Sequence, residues 1–286
     1  MIHSTNPSTY RWYALVLGLC VALQLHAGIP RWIPLAALPQ AVEGHAMVML
    51  RDGAILSVGG FSATGAATDA TSIVDPVTGI ITNAQPLPQA RARFATVVVT
   101  TTAGSDVYVI GGYTGTLANA TSSARVDVFR YDAATRSGTW RAIGSLDLAV
   151  GDCRAVFDGV SSVVVTGGTS QPSGAAGTGT AVQRSWTINT TSFVVTRGAD
   201  LTLPRSAHAA LRYVDALNRP AVLTAGGEAP PPTTATELLL AGVWDARTNP
   251  PRQWRNDGGS VTDRSGTARV FGGRTPAGVP MVDCEF

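Results

Sequence analysis

The stretch DVYVIGG (Asp106–Gly112) is a short run of β-forming residues that ends in two glycines. Four other stretches share this pattern: AILSVGG (Ala54–Gly60), SVVVTGG (Ser162–Gly168), AVLTAGG (Ala221–Gly227) and ARVFGG (Ala268–Gly273). A strand signature that recurs roughly every 50 residues is typical of a radial repeat fold, in which each repeat supplies one sheet. The paired glycines predict tight turns with positive φ and close backbone approach.

Further strand patterns flank these glycine doublets. Four doublets are preceded by another apolar segment: His45–Val48, Phe94–Val97, Arg154–Phe157 and His208–Leu211. Short turns such as Arg51–Gly53 predict hairpins between the first and second strands. A third strand and a tryptophan-containing fourth strand follow, most clearly at Val126–Asp132 and around Trp140. The sequence therefore predicts four antiparallel strands per repeat, arranged around an axis as an all-β propeller.

These repeats resemble the kelch family. The shared pattern is R-x-x-[HF]-A, a turn, V-x-x-GG, V-x-x-[YW]-D and a tryptophan strand. The second repeat carries Arg91, Phe94, Gly111, Gly112, Tyr131, Asp132 and Trp140, and the fourth keeps Arg205, His208, Gly226, Gly227, Trp244, Asp245 and Trp254. The third departs, with Arg154 where His or Phe is usual. The resemblance covers residues 31–286 and implies a kelch-type β-propeller domain, but propellers include binders, scaffolds and enzymes.

The number of doublets predicts five blades. The fifth doublet leaves room for one more strand, at about residues 279–285, and no fourth. At the other end of the domain, Arg31–Pro39 reads as a fourth strand that lacks the three strands before it. We therefore expect Trp32–Leu38 to complete the last blade and close the ring, which protects the sheet edges. A degenerate sixth blade is the alternative.

Residues 1–30 read as an N-terminal signal segment. Residues 12–27 (WYALVLGLCVALQLHA) are apolar and predict one helix. Cleavage after Ala27 would make the segment a secretory signal peptide. A retained signal anchor would instead span the membrane through residues 12–32, since a span needs about 20 residues. Leu25 stands where a cleavage site needs a small residue, which favours the transmembrane anchor. Both interpretations predict a periplasmic or extracellular propeller, and we favour the membrane-anchored form over the secreted one.

Composition restricts the choice of partner. Charged residues make up 14% of the chain, against about 25% in typical domains. So uncharged a surface favours coverage by a protein partner or a membrane. The net charge is only +2, and no basic run occurs, so a nucleic-acid partner is not expected. Every basic residue is arginine, which fits a GC-rich genome and favours a bacterial envelope protein.

The candidate binding face carries four long segments built mainly of small and neutral residues: Phe61–Ala70, Tyr113–Ala124, Thr169–Ala181 and Glu228–Thr234. These predict recognition through backbone and hydroxyl groups, or disorder, with Ser170–Thr180 reading as flexible. On the same face we expect charged residues, including Asp147 and Asp152. The candidate ligand-binding residues are Arg91, Arg93, Arg154, Arg205, Glu43 and Glu228.

The arginines of this set have two interpretations. They could clamp a carboxylate at the channel mouth, which is similar to the periplasmic kelch mutarotases that act on sialic acid. Alternatively, they brace neighbouring loops through carbonyls and carboxylates, and this is the interpretation we favour from the sequence.

No catalytic residue, metal site or cofactor is predicted. His45 and His208 occupy equivalent repeat positions, which is typical of packed, hydrogen-bonded motif residues. Copper oxidases of the galactose oxidase type need a Tyr–Cys crosslink, two further histidines and a tyrosine; here the domain holds only these two histidines. No Ser/His/Asp grouping, phosphate loop or dinucleotide motif occurs.

Two functions remain as hypotheses. The first is a non-enzymatic extracytoplasmic scaffold or protein-interaction module, acting as an accessory subunit of a membrane assembly. The alternative is a carbohydrate-binding or sialate-mutarotase-like periplasmic propeller. We favour the first on the missing catalytic set and the low charge. Acidic and arginine side chains converging at the channel would favour the second, and an uncharged apolar patch the first.

Overall fold

The computed structural model describes residues 36–215, 217, 219–228, 234–247, 257–262, 268–275, 279–282 and 284–285. The chain divides into Met1–Leu35 and Ala36–Phe286, and every described residue belongs to the second unit. The predicted apolar helix lies outside the described residues, as does most of the predicted closing strand. Within the described ranges, no helix has the length and apolar character that crossing a membrane requires.

The second unit is all-β, and its strands are labelled β1 to β25 in chain order. The first sheet contains β2 (Ala46–Met49), β3 (Ile55–Val58), β5 (Thr71–Val74) and β6 (Ile81–Asn83). The second contains β7 (Ala95–Thr100), β8 (Gly104–Ile110), β11 (Arg125–Asp132) and β12 (Ser137–Ser145). The third contains β13 (Arg154–Phe157), β14 (Ser162–Thr166), β17 (Ser185–Asn189) and β18 (Val195–Arg197). The fourth contains β19 (Ala209–Val214), β20 (Pro220–Ala225), β21 (Thr236–Leu240) and β22 (Val243–Arg247).

A fifth sheet has three described strands, β23 (Gly259–Thr262), β24 (Ala268–Phe271) and β25 (Cys284–Glu285). In all five sheets the strands are antiparallel and follow chain order, as the repeat pattern predicts. Six short strands form three additional pairs: β1 (Val42–Glu43) with β4 (Phe61–Ser62), β9 (Tyr113–Thr116) with β10 (Asn119–Ser122), and β15 (Thr169–Ser170) with β16 (Thr180–Ala181).

The hydrophobic core lies between successive sheets. Leu56 of the first sheet packs with Val109 and Phe129 of the second. Trp186 of the third sheet joins a cluster with residues of the second, and Val270 of the fifth packs with residues of the fourth. The first strands of neighbouring sheets lie against each other in the order β2, β7, β13, β19 and β23. Sheets that pack face to face around their first strands form a propeller-like fold.

Every glycine doublet follows a second strand and has positive φ at both positions, as expected from the sequence: Gly59, Gly60, Gly111, Gly112, Gly167, Gly168, Gly226, Gly227, Gly272 and Gly273. A Cβ on Gly111 would lie 2.3 Å from the carbonyl oxygen of Val150, and one on Gly167 would lie 2.2 Å from that of Arg205. The doublets are therefore the points where one sheet meets the segment that leads into the next.

The variant Gly111→Ala should lower the free energy of unfolding by about 2–4 kcal/mol, because the left-handed backbone costs about 1–2 kcal/mol and the clash adds overpacking strain. Gly53→Ala is the matched control: Gly53 also has positive φ, but an added Cβ meets nothing within 4 Å. Urea denaturation should show the smaller loss for the control. Equal losses would mean that the contact between sheets does not require the glycine.

The outer faces of the first and fifth sheets are partly uncovered. Met47 and Met49 of β2 are 52% and 72% exposed, and Val261 and Phe271 of the fifth sheet are 46% and 45% exposed. The described end of the predicted closing strand, residues 36–38, does not form a strand. The described residues therefore form five successive sheets, of which the first and the fifth each have a partly exposed face.

Candidate functional site

Five equivalent residues lie in a row where the first strands begin. Gly44, Arg93, Asp152, Ala207 and Asp257 each stand two residues before a first strand, and each has a φ between 49° and 61°. The backbone N–H of each residue from the second onward donates to the carbonyl of the one before it, at 2.8–3.0 Å. We call these five residues the mouth series, and the surface that they and their side chains form the mouth. The four non-glycine residues of the series therefore have a left-handed backbone conformation, which is strained. The hydrogen bonds between them stabilise this conformation.

Arg93 and Asp152 form a partly enclosed ion pair within the mouth series. Arg93 Nε lies 2.8 Å from Asp152 Oδ1, and the Tyr113 hydroxyl donates to Asp152 Oδ2 at 2.9 Å. The Arg93 side chain remains 29% exposed, against 6% for Asp152. Because both Asp152 oxygens are occupied, we assign Asp152 the role of positioning Arg93.

Burial has the largest effect on the pKa values of this pair. It raises the pKa of Asp152, against the opposing attraction of Arg93. It also lowers the pKa of Arg93, but the charge and hydrogen bond of Asp152 outweigh burial, and the net shift is upward. Arg93 therefore presents a permanent positive charge at the mouth.

Arg154 and Asp257 form the more open half of the site. Arg154 Nε donates to the His208 carbonyl at 2.9 Å, and Nη2 lies 3.7 Å from Asp257 Oδ1. Their side chains are 32% and 49% exposed. The charges of Arg154 and Asp257 also act on Asp152 and Arg93, respectively. Two arginines and two carboxylates thus converge at one mouth.

Arg91 and Arg205 are structural. Both side chains are fully buried, and they pair with Asp127 and Glu237, respectively, which are fully buried too. Each arginine also donates through Nη1 to the carbonyl of the first doublet glycine in its own sheet, at 3.0 and 2.9 Å. Burial lowers the pKa of Arg91 to about 10, so the group stays charged at neutral pH. The bracing interpretation describes these two residues, and we leave them out of the site.

The predicted acidic residues occupy different surroundings. Glu43 and Glu228 are exposed, and each lies in a backbone bridge beside the mouth series, Glu43 with Phe61 and Glu228 with Ser206. Asp147 instead contacts the third strand of its sheet, where it accepts a hydrogen bond from Trp186 Nε1 at 2.7 Å. Glu43 and Glu228 thus remain rim candidates, whereas Asp147 does not.

Strand register corrects one repeat assignment. Ala95 and Arg154 both pair with the residue immediately before a doublet, so Arg154 is equivalent to Ala95. The position of Phe94 and His208 is therefore held by Cys153 in the third repeat, and not by Arg154 as the sequence interpretation had it. Because Arg154 replaces a small motif residue, its side chain is an addition peculiar to this repeat.

His208 is a packed residue. It is 1% exposed, and its Nε2 lies 2.8 Å from the Thr166 hydroxyl. Burial lowers the pKa of His208 well below its ordinary value, with further lowering from Arg205 and Arg154, and burial also lowers that of His45. Both rings are therefore neutral at physiological pH. Among the described residues, no group of three His, Cys, Asp or Glu side chains is arranged to hold a metal.

Three of the long loops form one hydrogen-bonded layer, which we call the loop cap (residues 61–70, 113–124 and 169–181). The first loop is joined to the second by a bond from Leu117 N–H to the Gly65 carbonyl at 2.7 Å. The second is joined to the third by a bond from Ala176 N–H to the Leu117 carbonyl at 2.9 Å. The flexible reading of Ser170–Thr180 therefore does not describe the structure, in which hydrogen bonds order this segment.

A depression at the opposite end of the sheets is less suited to binding. Its charged lining residues are Asp52, Asp75 and Arg136. Arg136 is paired with both aspartates, at 3.1 and 2.9 Å. These charges already compensate one another, so the mouth is the better candidate.

Comparison with known proteins supports the fold. No protein-family model and no curated protein matches the chain, so the kelch resemblance rests on the residues quoted above. The solved structure of YjhT is similar to this chain, with a TM-score of 0.68 and 15% sequence identity over 91% of this chain and 85% of that one. At this identity the likeness shows a shared fold alone.

Proposed function

We propose that this propeller binds a carboxylated sugar at the mouth and interconverts its anomers, as the sialate mutarotases do. The observation that carries the proposal is the convergence of Arg93 and Arg154 with Asp152 and Asp257 at one mouth. Arginine suits a sugar acid because its planar fork can bind a carboxylate through two parallel hydrogen bonds. This is the carbohydrate hypothesis, and the site favours it over the scaffold hypothesis.

The chemistry requires little beyond proton transfer. Anomers interconvert when the anomeric hydroxyl loses a proton while the ring oxygen gains one and its bond to the anomeric carbon breaks. Ring closure on the other face of the carbonyl reverses these steps. Asp257 is the more exposed carboxylate of the cluster, so we assign it the proton transfer. Arg154 and Arg93 hold the substrate carboxylate, and Asp152 positions Arg93.

The variant Arg154→Ala should weaken binding of N-acetylneuraminic acid by roughly 10- to 100-fold, since a hydrogen bond to a charged group contributes about 1.5–3 kcal/mol. Arg184→Ala is the matched control: its side chain is also 32% exposed and ion-paired, but with Asp147, away from the mouth. Calorimetry would measure binding, and NMR exchange spectroscopy would measure anomer interconversion. Equal effects of both substitutions, or no exchange above the uncatalysed rate, would contradict the proposal.

For the architecture, we infer a closed five-bladed ring completed by Trp32–Leu38. One repeat position supports this. Leu87, Leu146 and Leu201 are 2–4% exposed, and each follows a fourth strand and stands six residues before the next member of the mouth series. Leu38 likewise stands six residues before Gly44, at the same position of the sequence repeat. A leucine at this position predicts a fourth strand before it.

The scaffold hypothesis stays as a second candidate, favoured by the low charge of the chain. A protein partner of a membrane assembly would then cover part of the surface. Wild-type protein that neither binds nor interconverts sugar acids, but co-purifies in stoichiometric amounts with one partner from mild detergent, would support it.

A further inference from the structure

We propose that the loop cap selects the ligand: a free acidic monosaccharide enters the site, while the same acid carrying further sugars is excluded. The inference rests on the proposed function, and it assigns a role to three loops that the sugar-binding proposal leaves unused.

The cap lies directly against the mouth. Arg93 Nη1 donates to the Ala176 carbonyl at 3.2 Å. A Cβ on Gly177 would lie 3.2 Å from Arg93 Nη2 and 3.4 Å from Asp152 Oδ2. The cap backbone therefore touches the ion pair, so this side of Arg93 is closed to a ligand.

Gln171 makes the cap rigid. This side chain is 1% exposed, and its Nε2 donates to the carbonyls of Ala120, Gly174 and Ala175 at 2.7–3.2 Å. Its Oε1 accepts from the N–H groups of Gly177 and Gly179, both at 3.1 Å. A buried amide with all these bonds links two loops, and moving either loop away would leave polar groups unpaired. The hydrogen bonds of Gln171 thus hold the second and third loops of the cap in one arrangement.

A small apolar core also stabilises the loop cap. Phe61, Ala92, Tyr113 and Ala120 are each buried to 1% exposure or less, and Ala176 packs against them. Tyr113 belongs to this core and also donates to Asp152. Tyr113 therefore links the loop cap to the mouth, so the position of the cap affects the position of Asp152.

Among the described residues, the other side of the ion pair is lined by Arg154 and Asp257, whose side chains are 32% and 49% exposed. A monosaccharide acid can place its carboxylate between Arg154 and Arg93 and its ring toward Asp257. In N-acetylneuraminic acid the carboxylate and the anomeric oxygen share one carbon, so in this pose a substituent on that oxygen would lie beside Arg93, which the cap contacts through the Ala176 carbonyl. A glycoside also lacks the free anomeric hydroxyl that anomer exchange needs, so exclusion agrees with the proposed reaction.

The test compares two probes, N-acetylneuraminic acid and 3′-sialyllactose, by titration calorimetry on the full-length protein. We expect wild type to bind the monosaccharide at least about tenfold more tightly. Gln171→Ala should reduce this ratio to about threefold or less by strengthening trisaccharide binding, and hydrogen exchange should show loss of protection at the Gly177 and Gly179 amides. Gln183→Ala, an exposed amide outside the cap, is the control and should change neither result.

The outcomes separate this inference from the proposed function. An unchanged ratio in Gln171→Ala, despite fast exchange at both amides, would reject the cap as the selecting element while leaving sugar binding in place. Equal binding of both probes to wild type would do the same. Failure of wild type to bind either probe would reject the proposed function together with this inference. If Gln171→Ala does not fold, Thr121→Val removes the exposed bond from Thr121 to the Pro172 carbonyl and should shift the ratio in the same direction.

Discussion

Replacing Arg205 with methionine should lower the free energy of unfolding by about 3–5 kcal/mol, because it leaves a buried carboxylate without its counter-ion. Both side chains of the Arg205–Glu237 pair are fully buried. Among the described residues, the Glu237 carboxylate would keep the Thr202 N–H as its one polar partner, at 2.6 Å. A single neutral donor does not compensate for a charge removed from water. Guanidinium unfolding of the purified variant would measure the loss.

Two further variants determine whether the cause is electrostatic. Arg91→Met should cost less than Arg205→Met, since Arg125 Nε still donates to both oxygens of Asp127, at 3.0 and 2.8 Å. The double variant Arg205→Met/Glu237→Leu should recover most of the stability, because an apolar pair can replace a buried ion pair. If the double variant is as unstable as the single one, packing and the lost carbonyl contacts explain the loss, and the charge argument fails.

Much of the fold could be predicted because its strongest requirement is local. Close contact between Gly111 and the Val150 carbonyl excludes a side chain, so each repeat carries the same glycines in the sequence. The first strands could be located from their apolar residues, and β13 (Arg154–Phe157) has the predicted bounds. Closure depends on Trp32–Leu38, a segment that lies mostly outside the described residues.

The site could be predicted only in part. Arg91 and Arg93 are two residues apart, yet one is buried against Asp127 and the other faces the mouth. Their different roles depend on partners 36 and 59 residues further along the chain, which composition does not reveal. Asp257 was missed, although its place just before a first strand could have identified it by comparison with Asp152. The hydrogen bonds within the loop cap depend on Gln171. This residue stands among small residues whose composition is typical of a flexible segment, so its role was not recognised from the sequence.

Removing Trp32–Leu38 should destabilise the propeller by about 5 kcal/mol or more if this segment is the missing fourth strand of the fifth sheet. The estimate follows from the loss of several apolar side chains, each contributing about 1.5–3 kcal/mol when fully buried. The deletion would also expose the edge of β25 and invite aggregation. The matched control removes residues 12–27 and keeps the strand, and it should unfold at nearly the wild-type denaturant concentration.

Adding the deleted segment back as a peptide distinguishes the loss of a specific strand at the sheet edge from a general effect of shortening the chain. A synthetic peptide of residues 30–40 should bind the deletion variant and raise its midpoint of unfolding, as a ligand that binds only the folded state does. A peptide with Trp32, Ile33 and Leu35 replaced by serine should not. If the deletion costs no stability and the peptide does not bind, Trp32–Leu38 is not part of a sheet, and the exposed faces at Met47 and Phe271 would have to be covered by something other than this strand. In a closed ring, the edge of the fifth sheet is paired with another strand and its exposed face is covered by a neighbouring sheet. The deletion and the peptide test the pairing of the edge separately from the covering of the face.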